Sequence, residues 1–395
     1  MIRVSLAAVL FVSAASSVHA QSEEFGAWQS LFNGSNLSGW VSTSAPAAPN
    51  GWTVEDGVLT MPSGKGKDIC TARAFGDYEL ELEYRIPVRG NSGVYLRGVV
   101  EVQVEDNGTA PPTSTSSGSL YAKHTPLKNA QKPAGEWNHY RILHIGSRIT
   151  VWHNGELVQD NVHFDGMTGG PMRTSPVSGR TLAGKVGPVR LQGDHGPVGY
   201  RNLRIRELFG DDWLSLWNGN DLSSFTARGD KRAKNGLLWK IEDHAFTNTG
   251  SGSHGHDIWT QSKYGNFLVH YAYKSDPSVE GGNSGFYLRD QWEIQIYKDS
   301  RLDNKHSDGC LYSLRTPDVV ARHGPEQWNH MDVKVDGMKI WVWQNGKLTH
   351  DSVTLKTRTD NHGVPTPKFS KESFKIQGDH GKVFFSDLRI KELPE

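Results

Sequence analysis

The run Tyr78-Glu79-Leu80-Glu81-Leu82-Glu83-Tyr84 alternates apolar and charged residues without a break. Successive side chains of a strand point to opposite faces, so this segment has one face for a core and one for water. That pattern belongs to an antiparallel sheet solvated on one side. Phe267, Val269, Tyr271 and Tyr273 recur at the same spacing later in the chain. Ile149-Thr150-Val151-Trp152 runs into Asn154-Gly155, and Ile340-Trp341-Val342-Trp343 into Asn345-Gly346. Asn-Gly favours the positive φ angles of a two-residue hairpin, so each unit reads as strand, turn and returning strand. No stretch of similar length keeps a 3.6-residue period, so helices should be few. Short strands with frequent turns predict an all-β fold, a sandwich of two antiparallel sheets.

The sequence holds this pattern twice. Leu31-Phe32-Asn33-Gly34 returns as Leu216-Trp217-Asn218-Gly219, and Gly90-Asn91-Ser92-Gly93-Val94-Tyr95-Leu96-Arg97 as Gly282-Asn283-Ser284-Gly285-Phe286-Tyr287-Leu288-Arg289. Glu101-Val102-Gln103 returns as Glu293-Ile294-Gln295, and Gln192-Gly193-Asp194-His195-Gly196 returns intact from Gln377. The order is kept at an offset near 190 residues. Solenoid repeats have periods of roughly 20–50 residues, so this is a duplicated domain. The expected boundaries are 21–208 and 213–395. The first twenty residues read as a signal peptide: Arg3 supplies a positive start, Leu6 to Val12 are apolar, and Val18-His19-Ala20 offers a cleavage site. A membrane anchor needs about 20 apolar residues, which this run lacks. The expected location is secreted or periplasmic.

Composition narrows the function. Among 395 residues, 43 Lys+Arg balance 43 Asp+Glu, which gives no electrostatic reason to bind nucleic acid or an anionic membrane. Only Cys70 and Cys310 are present. Export permits a disulfide between them, but a domain of this size does not need one. Neither has the Cys or His neighbours of a zinc site. Gly250-Ser251-Gly252-Ser253-His254-Gly255 fits the letters of a dinucleotide fingerprint without its flanking strand and helix, and is set aside. No motif demands a cofactor. His254, His256 and Asp257 leave a divalent cation open, against the commoner reading of a His-rich surface loop.

The polar faces of two adjacent strands hold the candidate site. Alternation sets Tyr95 and Arg97 opposite Val94 and Leu96, and Glu101, Gln103 and Glu105 opposite Val102 and Val104. Val189-Arg190-Leu191-Gln192 likewise presents Arg190 and Gln192, just before His195. Trp152 and Trp343 oppose aliphatic neighbours and offer flat rings. Arginine, carboxylate, amide, imidazole and an aromatic plane together suit a neutral polyol. The competing reading is a solvated sheet face with ion pairs such as Arg97 with Glu101. Reappearance of the same residues in the second copy favours function.

Asn33–Trp40, Gly90–Arg97, Glu101–Asp106, Gly118-Ser119-Leu120-Tyr121, Gly135-Glu136-Trp137-Asn138, His153-Asn154-Gly155 and Leu191–Gly196 together resemble the 3-keto-disaccharide hydrolase domain family. The resemblance covers about 28–208 closely and 213–393 less well. It implies two tandem concanavalin A-like, jelly-roll sandwiches acting on a carbohydrate substrate. It also implies cleavage of 3-keto-glycosides by C2 deprotonation, β-elimination and hydration. On that reading His195 is the first choice of base or acid, with Glu101 or Asp106 competing as base. Arg97 and Arg201 would hold the enolate or hydroxyls, Gln103 a hydroxyl, Tyr121 the leaving oxygen, and Trp152 would stack. The second-copy equivalents are Arg289, Glu293, Gln295, Tyr312 and His380. Lys298 stands where Asp106 does and Ser386 where Arg201 does, so the first copy is expected to be the active half. Three alternatives remain open: a direct two-carboxylate glycosidase, a non-catalytic carbohydrate-binding protein, and a cell-surface interaction protein.

Overall fold

The computed structural model describes residues 26–395 except 49, 229–230, 234–235, 249–254, 277–281, 325 and 358–369. The signal peptide expected at 1–20, His254, and all of the fingerprint-like loop but Gly255 lie outside the described residues. The chain forms two compact units, Gly26–Gly210 and, from Asp211, a second that runs to Glu395.

Each unit is a sandwich of an eight-stranded and a five-stranded antiparallel sheet. In the first unit the larger sheet is centred on Tyr78–Arg85, between Asn138–Ile145 and Val198–Glu207. The smaller sheet runs Trp40–Ser42, Ile69–Thr71, Arg190–Leu191, Asn91–Leu96, Val100–Glu105. The second unit repeats both strand orders, with Phe267–Ser275 central in one sheet and Ser284–Leu288 beside Trp292–Ile296 in the other. The fold is all-β; among the described residues the single helical segment is a 3-10 turn at Lys231–Ala233. No helix among them is long and apolar enough to cross a membrane.

The alternation places the core as expected. Leu80, Leu82 and Tyr84 meet Val94, Val102, Val104 and Leu191 of the facing sheet. Val269, Tyr271 and Tyr273 meet Phe286, Ile294 and Ile376 in the second unit. The hairpin turns take the left-handed backbone that Asn-Gly allows, with φ of 52° at Asn154 and 85° at Gly155. The charged face of Tyr78–Arg85 is drier than the pattern implies. Glu79 is 1% exposed and lies between Arg141 and Arg206. Burial alone would raise its pKa, yet the two guanidinium groups hold the carboxyl below the usual range. Both cysteines are buried free thiols, and burial pushes Cys70 up to about 12.

Candidate active site

Strands Asn91–Leu96 and Val100–Glu105 pair with Tyr95 opposite Glu101 and Gly93 opposite Gln103. Arg190 pairs with Tyr95 from the other side. Period two sends these polar side chains to one face, where they line a cavity of about 300 Å³ with Tyr121, Gln192 and His195. Glu101 lies against Gly93, where a Cβ would stand 2.1 Å from Oε1, so only glycine leaves room for the carboxylate. The Tyr95 hydroxyl is 2.8 Å from Glu101 Oε2 and 3.0 Å from the Gly169 carbonyl. Burial pushes the Glu101 carboxyl up to about 7, although Tyr95, Arg190 and His195 each pull it down. Tyr121 is fixed beside it, its amide donating to the Glu101 carbonyl at 3.0 Å.

Asp68 organises the rest of the wall. It pairs with Arg190, whose guanidinium lies 3.9 Å from the Tyr95 ring centroid. It also accepts the Gly193 amide at 2.8 Å, which anchors the Gly193-Asp194-His195 turn. His195 stands half-exposed at the cavity mouth, its Nδ1 2.5 Å from Asp194 Oδ1. A carboxylate only accepts, so Nδ1 donates and Nε2 is the nitrogen left for a ligand. Gln192 Oε1 is buried without a partner. Gln103 Oε1 accepts the Val104 amide at 3.1 Å, so its NH2 is the end that can donate to a ligand. A hydroxyl that donates to Gln192 and accepts from Gln103 would complete the wall.

The second unit keeps this arrangement. The Tyr287 hydroxyl donates to Glu293 Oε2 at 2.8 Å, and a Cβ on Gly285 would lie 2.1 Å from Glu293 Oε1. Burial pushes Glu293 up to about 7 against the pull of Tyr287, Lys375 and His380. His380 Nδ1 is 2.6 Å from Asp379 Oδ1, and that bond raises its pKa. Asp257 stands for Asp68, accepting the Gly378 amide at 3.1 Å, and Lys375 stands for Arg190. Glu293, Gln295, Tyr312 and His380 line a cavity of about 410 Å³.

Several expected site residues lie elsewhere. Arg97 follows the last residue of its strand and has φ of 47°, so the alternation stops before it. Its buried guanidinium donates to the carbonyls of Gly76, Gly146 and Gly184 and pairs with Asp77, not Glu101. Arg289, with φ of 49°, likewise bonds the Gly265 and Gly337 carbonyls. Both hold loops together, and neither lines the Glu101 or the Glu293 cavity. Arg201 belongs to the larger sheet, paired with Glu83 and 4.0 Å from the Trp137 ring centroid. Trp152 is packed with Leu143, Ile145 and Leu208 under Arg141, and Trp343 with Leu268, so neither offers a free face to a sugar. Asp106 accepts the Arg89 and Gly108 amides at 2.8 and 3.3 Å, capping a turn outside the cavity.

Glu101, Gln103, Tyr121 and His195 do share one cavity. Sequence reasoning set Tyr95 and Arg190 on the candidate face without individual roles and did not single out Asp68. The repeat carried a signal for the last, since Asp68-Ile69 returns as Asp257-Ile258. His256 accepts the Leu238 amide at Nε2, which removes that nitrogen from metal ligation. Among the described residues no group of three or more His, Cys, Asp or Glu is disposed to hold a metal ion.

Comparison with known proteins agrees with the repeat. The profile of the 3-keto-alpha-glucoside-1,2-lyase-like domain matches residues 27–206 and again 212–391. A curated Bacteroides thetaiotaomicron protein named 3-keto-disaccharide hydrolase is 28% identical over 162 residues, 32% of this chain and 56% of that protein. The chain thus spans little more than half the length of that relative. A crystal structure of a candidate glycosyl hydrolase from Parabacteroides distasonis is 34% identical, covering 47% of this chain and 86% of that one, with a TM-score of 0.39. A second from the same organism is 23% identical, covering 48% and 97%, with a TM-score of 0.37. With profile matches over both units, the chain belongs to the 3-keto-alpha-glucoside-1,2-lyase-like domain family, as a tandem pair.

Proposed function

We propose that this is an exported, carbohydrate-active enzyme that cleaves the glycosidic bond of 3-keto-glycosides in the Glu101 cavity. A ketone at C3 acidifies the C2–H. The Glu101 carboxylate takes that proton, and the electrons left on C2 form the enolate. Collapse of the enolate expels the C1 substituent, and the Tyr121 hydroxyl, or His195 in its imidazolium form with a proton on Nε2, protonates the departing oxygen. Water then adds across C1=C2, its oxygen to C1 and a proton to C2, for net hydrolysis. The amide NH2 of Gln103 and the charge of Arg190 beside Tyr95 favour the enolate oxygen.

The observation that carries this reading is a buried carboxyl, pushed to about 7, in a cavity where the Gln192 Oε1 lacks a partner. A base near the working pH is what abstraction from carbon needs. Family membership and the named relative support the substrate class. The N-terminal apolar run supports export to the periplasm or medium. One observation favours a second reading, direct hydrolysis by two carboxylates: Asp194 lines the same cavity as Glu101.

Incubation with a panel of 3-keto-glucosides, with and without chelator, tests the proposal. Cleavage through a transient glycal is expected, and cleavage of the 3-keto-disaccharides should fall at least about 100-fold in Glu101→Gln. Disaccharide cleavage left intact by both Glu101→Gln and His195→Gln removes these roles. Cleavage of unoxidised glycosides alone decides for direct hydrolysis.

A further inference from the structure

The second unit keeps the Glu293, Tyr287, Tyr312 and His380 set, and its departures from the first lie elsewhere. Asp106 and Arg201, whose replacements argued against the second copy, stand outside the first cavity. Nothing placed in the reacting part of the first site is therefore missing from the second except Arg190, replaced by the cation Lys375, 3.4 Å from the Tyr287 ring centroid. What differs is the mouth. In the first unit one wall is backbone, Gly169 and Gly170, with the Gly170 carbonyl accepting from Arg190 at 2.6 Å.

Among the described residues, the second cavity is lined by aromatic side chains that the first does not have. Tyr297 stands where the first unit has Glu105, and His306 where it has Thr115. Both line the cavity with Tyr312. The His306 and Tyr312 rings are 4.7 Å apart and inclined at 43°. His306 Nε2 is held 2.9 Å from Ser313 Oγ, which fixes the ring plane. Neighbouring rings that leave faces open attract another flat ring at centroid distances of about 4.5–7 Å. The first cavity keeps Tyr121 at the place of Tyr312 but has Glu105 and Thr115 where the second has Tyr297 and His306, beside a wall of backbone carbonyls and amides. Its carbonyls and amides suit a leaving group rich in hydroxyls.

We propose that the second pocket is a separate catalytic centre whose leaving-group subsite takes a planar aromatic aglycone, while the first takes a sugar. This rests on the 3-keto-glycoside reading above. The chemistry is the same: Glu293 removes the C2 proton, the C1–O bond breaks, and a phenol departs in place of a sugar alcohol.

The test uses the full chain with one centre silenced at a time. Glu101→Gln and Glu293→Gln each keep a hydrogen-bond acceptor for the neighbouring tyrosine and so preserve the fold. Each variant is assayed for kcat/KM on the 3-keto forms of a glucose disaccharide and of 4-nitrophenyl glucoside, in both anomers. Glu101→Gln should lose disaccharide cleavage and keep aryl cleavage, and Glu293→Gln the reverse. In the Glu101→Gln background, adding Tyr297→Ala and His306→Ala should lower aryl kcat/KM roughly tenfold. In the Glu293→Gln background the same pair should leave disaccharide cleavage unchanged.

Equal aryl-to-disaccharide ratios in the two single variants, or no effect of Glu293→Gln on either substrate, overturn the inference while leaving the 3-keto reading intact. Failure of the unaltered protein to cleave any keto-glycoside instead overturns that reading. Calorimetric titration with phenyl glucoside judges the subsite without turnover. Binding weakened by His306→Ala and not by Glu101→Gln supports it, and binding indifferent to His306→Ala contradicts it.

Discussion

Glu101 carries two consequences that can be measured apart. If, as proposed, the ionised carboxylate is the base, kcat/KM should rise with pH through about 7 and level off above. Glu101→Gln should remove that limb for disaccharide substrates. For stability the sign is opposite. The folded-state pKa of about 7 lies above the ordinary 4.5, so the folded protein holds this proton more tightly than the unfolded chain. Its contribution is fully present below about 4.5 and is lost as pH rises to about 7, on the order of 3 kcal/mol. Denaturant unfolding across this window should therefore show a shallower fall in Glu101→Gln than in the unaltered protein. Equal slopes would mean that the carboxyl titrates as it does in water. The groups facing it are Tyr95, Arg190, His195 and, with the opposite effect, Asp68.

At the level of strands and turns, what was legible follows from where regular geometry holds. Alternation ran true along Asn91–Leu96 and Val100–Glu105, so Tyr95, Glu101 and Gln103 share a face as the spacing implied. It failed one residue later, because the left-handed backbone at Arg97 turns the side chain away from that face. Trp152 and Arg201 also alternate correctly, but on the other sheet, and a period says nothing about which sheet a strand joins. Asp68 escaped notice because its role is to tie Arg190 to the Gly193 turn across 125 residues. Arg97 now predicts a structural effect. Removing a buried guanidinium that bonds four carbonyls and an aspartate should cost about 3–5 kcal/mol. Arg97→Ala should thus melt at lower temperature while kcat/KM, measured well below the transition, stays near that of the unaltered protein. An unchanged melting temperature with lost cleavage would return Arg97 to the site.

Across the whole molecule, the duplication was the clearest message in the sequence, and each unit rebuilds the same pair of sheets and the same acid beside glycine and tyrosine. The mouths of the two cavities were not legible, because loops set them and loops carry no period. Two differences between the copies, at Asp106 and Arg201, fall on a turn cap and an outer-face ion pair and not in the first cavity. The claim common to both units is that bond cleavage starts with loss of the C2 proton to a buried glutamate. Proton NMR of 3-keto-glucoside cleavage in D2O tests it most directly. Elimination and hydration predict a released sugar carrying deuterium at C2, above the exchange seen without enzyme, and no such release from the Glu101→Gln, Glu293→Gln double variant. Release of sugar that keeps its original hydrogen at C2 would contradict it.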